Sequence, residues 1–261
     1  MVTTPHLPTH VSDLLRLLGK DPGRPRLTWY GDDAERIELS GAVLENWINK
    51  TTNLLVQEFD AEPGVRIVID LPVHWRSVVW TLASWRTGAT VVLAAGPPHE
   101  DGAAGDVLVT DQPSRGAAYD ALVAVALPAL ARRFDGDLPP GAVDAAAAVM
   151  TYGDQIDWAP EPDGALPALE QTGSDLRVAH ADLVTWALTD DEPSPGSPSP
   201  AAPRALVAGD QGLVPVLVRA LGLWAADGSV VLTSAATAGE LADDPARRRR
   251  LVEGERISTG G

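Results

Sequence analysis

The run "EQTGSDLR" holds the residues best suited to grip an anion. Thr172, Gly173 and Ser174 can turn backbone N–H groups and hydroxyls toward a phosphate, because glycine lets the backbone approach a ligand closely. Arg177 supplies a cation just beyond them. No lysine stands in the run, and Lys20 and Lys50 are the only lysines of the chain. A helix read from His180 to Leu188 would add the partial positive charge of its N-terminus. The stretch reads either as a phosphate grip without a lysine or as an ordinary turn feeding a helix that starts near Ala179.

Other reactive side chains organise less well. Ser174, His180 and Asp182 have the types of a hydrolase triad. They sit too close together along one loop and helix to reach the cross-element geometry a triad needs. No G-x-S-x-G elbow occurs, so His180 reads as a capping or packing residue. Asp32, Asp33 and Glu35, and again Asp190, Asp191 and Glu192, offer oxygens suited to a hard cation. Neither set has calcium-loop spacing, so both read as solvated loop acids. No histidine pair has zinc spacing. The absence of cysteine removes disulfides, thiolate ligands and a cysteine nucleophile together. No catalytic residue and no metal ligand is assigned.

The elements that would position these residues alternate between strand and helix. "VSDLLRLL" is a short helix, and "PRLTWYGDDAERIEL" a hairpin around a polar turn. Leu44, Trp47, Ile48, Thr51, Leu54 and Leu55 recur at helical spacing. "VRIVIDL", "ATVVLAA" and "DVLVT" are apolar strands, with a helix faced by Val78, Val79, Leu82 and Trp85 and stopped by Gly88. Near-continuous apolar strands around a helix predict a mainly parallel sheet covered by helices, an α/β fold.

Helices are expected at residues 117–122 and 143–151, with a strand at residues 123–127. Strands at residues 204–208, 229–232 and 256–259 and helices at residues 213–224 and from Asp244-Pro245 close the chain. "TDDEPSPGSPSPAAP", residues 189–203, is a proline- and serine-rich surface linker within a single domain over residues 1–261. Trp47 and Trp85 fall on core faces. Trp75 and Trp80 fall off the apolar stripe or at its edge, where exposure would mark an interface. The arginine run at residues 247–250 points all round its helix and reads as solvated.

The formal net charge of −16 argues against nucleic acid and anionic membranes as partners. Apolar runs are too short to span a bilayer, and the N-terminus has no secretion signal. A cytoplasmic location is expected.

On "LTWYGDDAERIELSGAVLENWINKTTNLL", "PGVRIVIDLPVHWRSVVWTLASWRTGATVVLA", "RALVAGDQGLVPVLVRALGLWAADGSVVLTS" and "ARRRRLVEGERIST", the chain resembles the first part of the large domain of adenylate-forming enzymes. That family includes acyl-CoA synthetases and peptide-synthetase adenylation domains. The chain looks most like a short actinobacterial group matching only that part. The resemblance implies that Thr172, Gly173, Ser174 and Arg177 are what remains of the family's phosphate loop, with its Pro-Lys-Gly replaced. It implies further that the adenine, magnesium and ribose elements and the small C-terminal domain are missing. No cofactor is therefore established, and weak ATP or AMP binding is the most the loop would support. The expected function is a non-catalytic binding or regulatory protein derived from an enzyme. The alternatives are a nucleotide- or acyl-binding half-enzyme needing a second chain, and an interaction module with no small-molecule site. A truncated face implies covering by self-association or by a protein partner.

Overall fold

The computed structural model describes residues 8–93, 105–190 and 202–258. Its first elements are helix α1 (Val11–Leu18), strands β1 (Pro25–Tyr30) and β2 (Arg36–Ser40), and helix α2 (Gly41–Phe59). Strand β3 (Arg66–Asp70), helix α3 (Trp75–Arg86) and strands β4 (Thr90–Leu93), β5 (Val107–Thr110), β6 (Ala121–Ala124) and β7 (Val143–Asp144) follow. Next come helix α4 (Ala145–Ala148), strands β8 (Pro167–Gln171) and β9 (Arg177–Ala179), and helix α5 (Leu183–Asp190). The described elements end with strand β10 (Arg204–Val207), helix α6 (Leu213–Ala225), strand β11 (Ser229–Thr233) and helices α7 (Ala235–Asp243) and α8 (Pro245–Gly254). The fold is α/β with mainly parallel strands, as the alternation of apolar runs predicts. The chain divides into two compact units, Met1–Leu44 with Asp182–Gly261, and Glu45–Ala181.

In the Glu45–Ala181 unit, seven strands lie in the order β7-β6-β5-β3-β4-β8-β9. All neighbours are parallel except β8 and β9. Every residue of β4 and β5 is buried, the environment that near-continuous apolar strands require.

Helix α3 is not one-faced: each residue from Trp75 to Trp85 is buried. Its small polar side chains permit this by bonding back to the helix. The hydroxyls of Thr81, Ser84 and Thr87 each donate to a carbonyl one turn earlier at 2.8 Å. Trp75 and Trp80 are 2% and 3% exposed, which overturns the expectation that they face an interface. Trp85 donates Nε1–H to the Ala168 carbonyl at 2.7 Å, fixing α3 to β8. Beyond the helix, Gly88 adopts φ +79°, the left-handed stop that glycine accepts readily.

The alanine-rich stretches depart from expectation. Pro113–Ala118 form a short 3₁₀ helix, and β6 begins at Ala121. Val143 and Asp144 pair with β6 rather than joining a helix. Asp144 then caps α4 by accepting from the N–H groups of Ala146 and Ala147. Helix propensity, even that of alanine, is a small enough bias for sheet pairing to override it.

In the other unit, the sheet order is β10-β11-β1-β2. The β1–β2 hairpin is antiparallel and the remaining pairs parallel. Glu255 is the hub that ties the end of α8 to this sheet. It accepts from the Tyr30 hydroxyl at 2.5 Å, from Arg36 at 2.9 and 3.1 Å, and from Arg204. Residues 256–258 form no strand, although the Ser258 N–H donates to the Arg204 carbonyl at 2.8 Å. Thr259 lies outside the described residues.

Of the proline- and serine-rich stretch, Thr189 and Asp190 end α5, and residues 191–201 lie outside the described residues. Among the described residues, no helix is long and apolar enough to cross a membrane.

Candidate functional site

Thr172, Gly173 and Ser174 lie in the tight turn between antiparallel β8 and β9, not at a helix N-terminus. Strand β9 separates the turn from the helical segment, which begins as a 3₁₀ turn at His180–Asp182 and continues as α5 from Leu183, near the expected residues 180–188. Cross-strand pairing with β8 claims Arg177–Ala179, so the dipole expected behind the loop does not follow it.

The N–H groups of Thr172 and Ser174 are occupied. Thr172 donates to the Leu93 carbonyl at 3.0 Å and Ser174 to the Gln171 carbonyl at 3.4 Å. The Leu176 N–H donates to the Ser174 hydroxyl at 3.2 Å, and that hydroxyl donates to the Gln171 carbonyl, also at 3.2 Å. Gly173 has φ +71°, so its glycine serves the turn conformation. Arg177 pairs with Glu170 at 3.1 Å, and Glu170 also holds Arg66 at 2.7 Å. A phosphate here would have to displace these bonds and compete with a carboxylate for the only cation of the loop.

Lys50 does not serve the turn. Lys50 donates to the Tyr152 carbonyl at 2.6 Å and pairs with Asp154 at 2.5 Å. His180 is buried, with Nε2 3.0 Å from the Gly88 carbonyl oxygen, consistent with a packing role. The first acidic cluster is built into its hairpin. Asp32 accepts from the Ser234 hydroxyl at 2.5 Å and Glu35 from Trp29 Nε1–H at 2.9 Å. These two acids are thus structural rather than merely solvated. Asp191 and Glu192 lie outside the described residues. Among the described residues, no cluster of three or more His, Asp or Glu side chains could hold a metal.

The strand order reverses between β3 and β5, where an open α/β sheet usually takes its ligand. That corner is filled by its own ion pair. Asp70 accepts from the Thr110 hydroxyl at 3.0 Å and pairs with Arg115 at 3.2 Å. Burial raises the Asp111 carboxyl above the usual range, and the charge of Asp70 adds to the shift. At the start of α3, burial and then the charge of Arg76 hold His74 at about 3. His74 is a neutral cap, accepting from the Arg76 N–H at 3.2 Å.

An open concavity lies at the carboxyl end of β10. Leu206, Val207 and Ala208 form one wall of a groove of about 470 Å³, and Val214, Pro215 and Val218 on α6 form another. Gln211 and Arg219 add polar groups to the lining. This matches the ordinary composition of a small-molecule site: apolar walls with few polar groups. Sequence reasoning missed these residues because no motif marks them. The signal was a proline and branched side chains in the first turn of a helix directly after a strand.

No family model matches the chain. It is 36% identical over 212 residues to a TIGR03089 family protein of Mycobacterium tuberculosis, covering 79% of this chain and 84% of that protein. Its structure superposes on that of a Brucella canis acyl-CoA synthetase with a TM-score of 0.69 and 16% identity. That match covers 93% of this chain but 47% of the synthetase, so the chain spans about half the synthetase's length and shares its fold over that part.

Proposed function

The chain belongs to the TIGR03089 family, and from that premise we propose that it is a non-catalytic binding protein derived from an adenylate-forming enzyme. In this reading it takes an apolar or acyl group in the β10–α6 groove and does not activate it with ATP. The observation that carries the reading is the turn at Thr172–Gly173–Ser174, whose N–H groups of Thr172 and Ser174 bond within the protein. The groove, of about 470 Å³, supports a ligand role over that of an interaction module with no small-molecule site. Coverage of 47% of the synthetase supports descent from the first part of such an enzyme. The alanine-, arginine- and proline-rich composition and the mycobacterial relative support an actinobacterial source.

The same reading places the protein in the cytoplasm, with self-association or a protein partner covering its remaining surfaces. The net charge of −16 argues against nucleic acid and anionic membranes as partners.

Calorimetric titration with ATP, AMP and fatty acids of increasing length tests the proposal, with ATP–pyrophosphate exchange run in parallel. Fatty acids are expected to bind, tightening about fourfold per added methylene while the groove fills, from about 0.8 kcal/mol each. ATP is expected neither to bind at millimolar concentration nor to exchange pyrophosphate. Saturable ATP binding would favour the half-enzyme. No binding of any of these ligands would leave the interaction module.

A further inference from the structure

A second, smaller cavity lies within the Glu45–Ala181 unit, at the carboxyl side of its parallel strands. Trp47 and Thr51 of α2, Trp75 and Arg76 at the start of α3, and Val125 just after β6 contribute to its wall. Its volume of about 10 Å³ is room for one water-sized guest.

Trp75 is 2% exposed, and its indole N–H is buried with no hydrogen-bond partner. A buried donor left unmade costs about 1–3 kcal/mol, so a native protein rarely leaves one idle. Trp75 sits in an aromatic cluster. The Trp47 ring packs edge-on at 5.2 Å between centroids, and the Arg76 guanidinium lies 4.3 Å from the Trp75 ring centre. Arg76 is itself 7% exposed.

The character of the wall selects the guest. Its polar side chains are the indoles of Trp47, Trp75 and Trp80, the Arg76 guanidinium and the Thr51 hydroxyl, and no acidic side chain lines it. Indole and guanidinium groups only donate hydrogen bonds. A water molecule would need acceptors for its own two hydrogens and finds one hydroxyl among these side chains. A halide only accepts, and it also gains from the nearby positive charge.

We propose that this cavity binds a single monatomic anion of the halide class, held by the Trp75 N–H beside the Arg76 guanidinium. The site is independent of the groove and of the proposed acyl ligand, so either can fail without the other.

The experiment is thermal unfolding of the full chain in sodium chloride, sodium bromide and sodium gluconate at equal ionic strength, followed by tryptophan fluorescence. Chloride and bromide are expected to raise Tm saturably over gluconate, as a guest bound only by the folded state must. Bromide is also expected to quench part of the native fluorescence with the same saturation. Trp75→Phe, which removes the donor and keeps most of the ring, is expected to abolish both responses. Should that variant fail to fold, anomalous diffraction from a bromide-soaked crystal of the unaltered protein decides the matter. A bromide peak against Trp75 supports the site. Equal Tm in halide and gluconate, an undiminished halide response in Trp75→Phe, or only a water peak in the cavity overturns it.

Discussion

Replacing Glu255 tests whether the clasp that holds β10, and with it one wall of the groove, is organised by charge. Its carboxylate accepts from the Tyr30 hydroxyl at 2.5 Å, from Arg36 at 2.9 and 3.1 Å, and from Arg204. Side-chain exposures are 8% for Glu255, 16% for Arg204 and 43% for Arg36. Hydrogen bonds to a charged group contribute about 1.5–3 kcal/mol each when buried. The half-exposed Arg36 is screened by water and adds about 0–1 kcal/mol. Glu255→Gln keeps the shape and one acceptor, so a loss of about 2 kcal/mol is expected at pH 7. Glu255→Ala leaves the Arg204 guanidinium without its carboxylate and should cost about 3 kcal/mol.

The pH dependence has a definite sign. Burial acts to raise the Glu255 carboxyl, but hydrogen bonds from Tyr30, Arg204 and Arg36 outweigh it and hold it below its ordinary 4.5. A group whose folded value is depressed stabilises fully above its unfolded value and loses that contribution as pH falls through the folded one. The gap between the unaltered protein and Glu255→Gln should therefore be constant from about pH 7 to pH 5 and shrink below about pH 4.5. Urea unfolding followed by circular dichroism across that range is the assay. A gap under about 0.5 kcal/mol at pH 7, or one that persists unchanged into acid, would refute the reasoning.

Three further outcomes are expected. Gly88→Ala should destabilise by about 1–3 kcal/mol, because φ is +79° and an added Cβ would lie 2.8 Å from Pro63 Cγ and 3.0 Å from Pro162 Cα; thermal unfolding reads this directly. Trp85→Phe removes the 2.7 Å bond to the Ala168 carbonyl and should cost about 1–3 kcal/mol. Amide exchange in β8 should rise with it, and unchanged exchange would show that the bond does not hold the strand. Arg177→Ala, at a side chain 68% exposed, should shift stability by less than about 0.5 kcal/mol and leave the ATP titration flat. A measurable loss of ATP affinity in that variant would instead place Arg177 on a phosphate.

Much of the architecture was legible before any coordinates. Strand text such as "TVVL" and "VLVT" is too apolar to give a face to water, so a parallel sheet covered by helices was the physical solution. Gly88 announced the end of α3, since few other residues adopt its left-handed conformation readily. The synthetase fold, over the part it covers, agrees with the fold that the resemblance implied.

Tertiary structure decided the rest, because it depends on which neighbour claims each group. A turn with glycine and hydroxyls is the same text whether its N–H groups face a ligand or its own strands. Only the tertiary structure assigned those of Thr172 and Ser174 inward, to the carbonyls of Leu93 and Gln171. The α3 stripe mispredicted Trp75 and Trp80 because periodicity reports one favoured face. It cannot report that serine and threonine, bonded to their own helix, let the opposite face be buried as well. The groove at β10 and the idle Trp75 donor are shapes made by residues far apart in sequence, and no local pattern encodes such shapes.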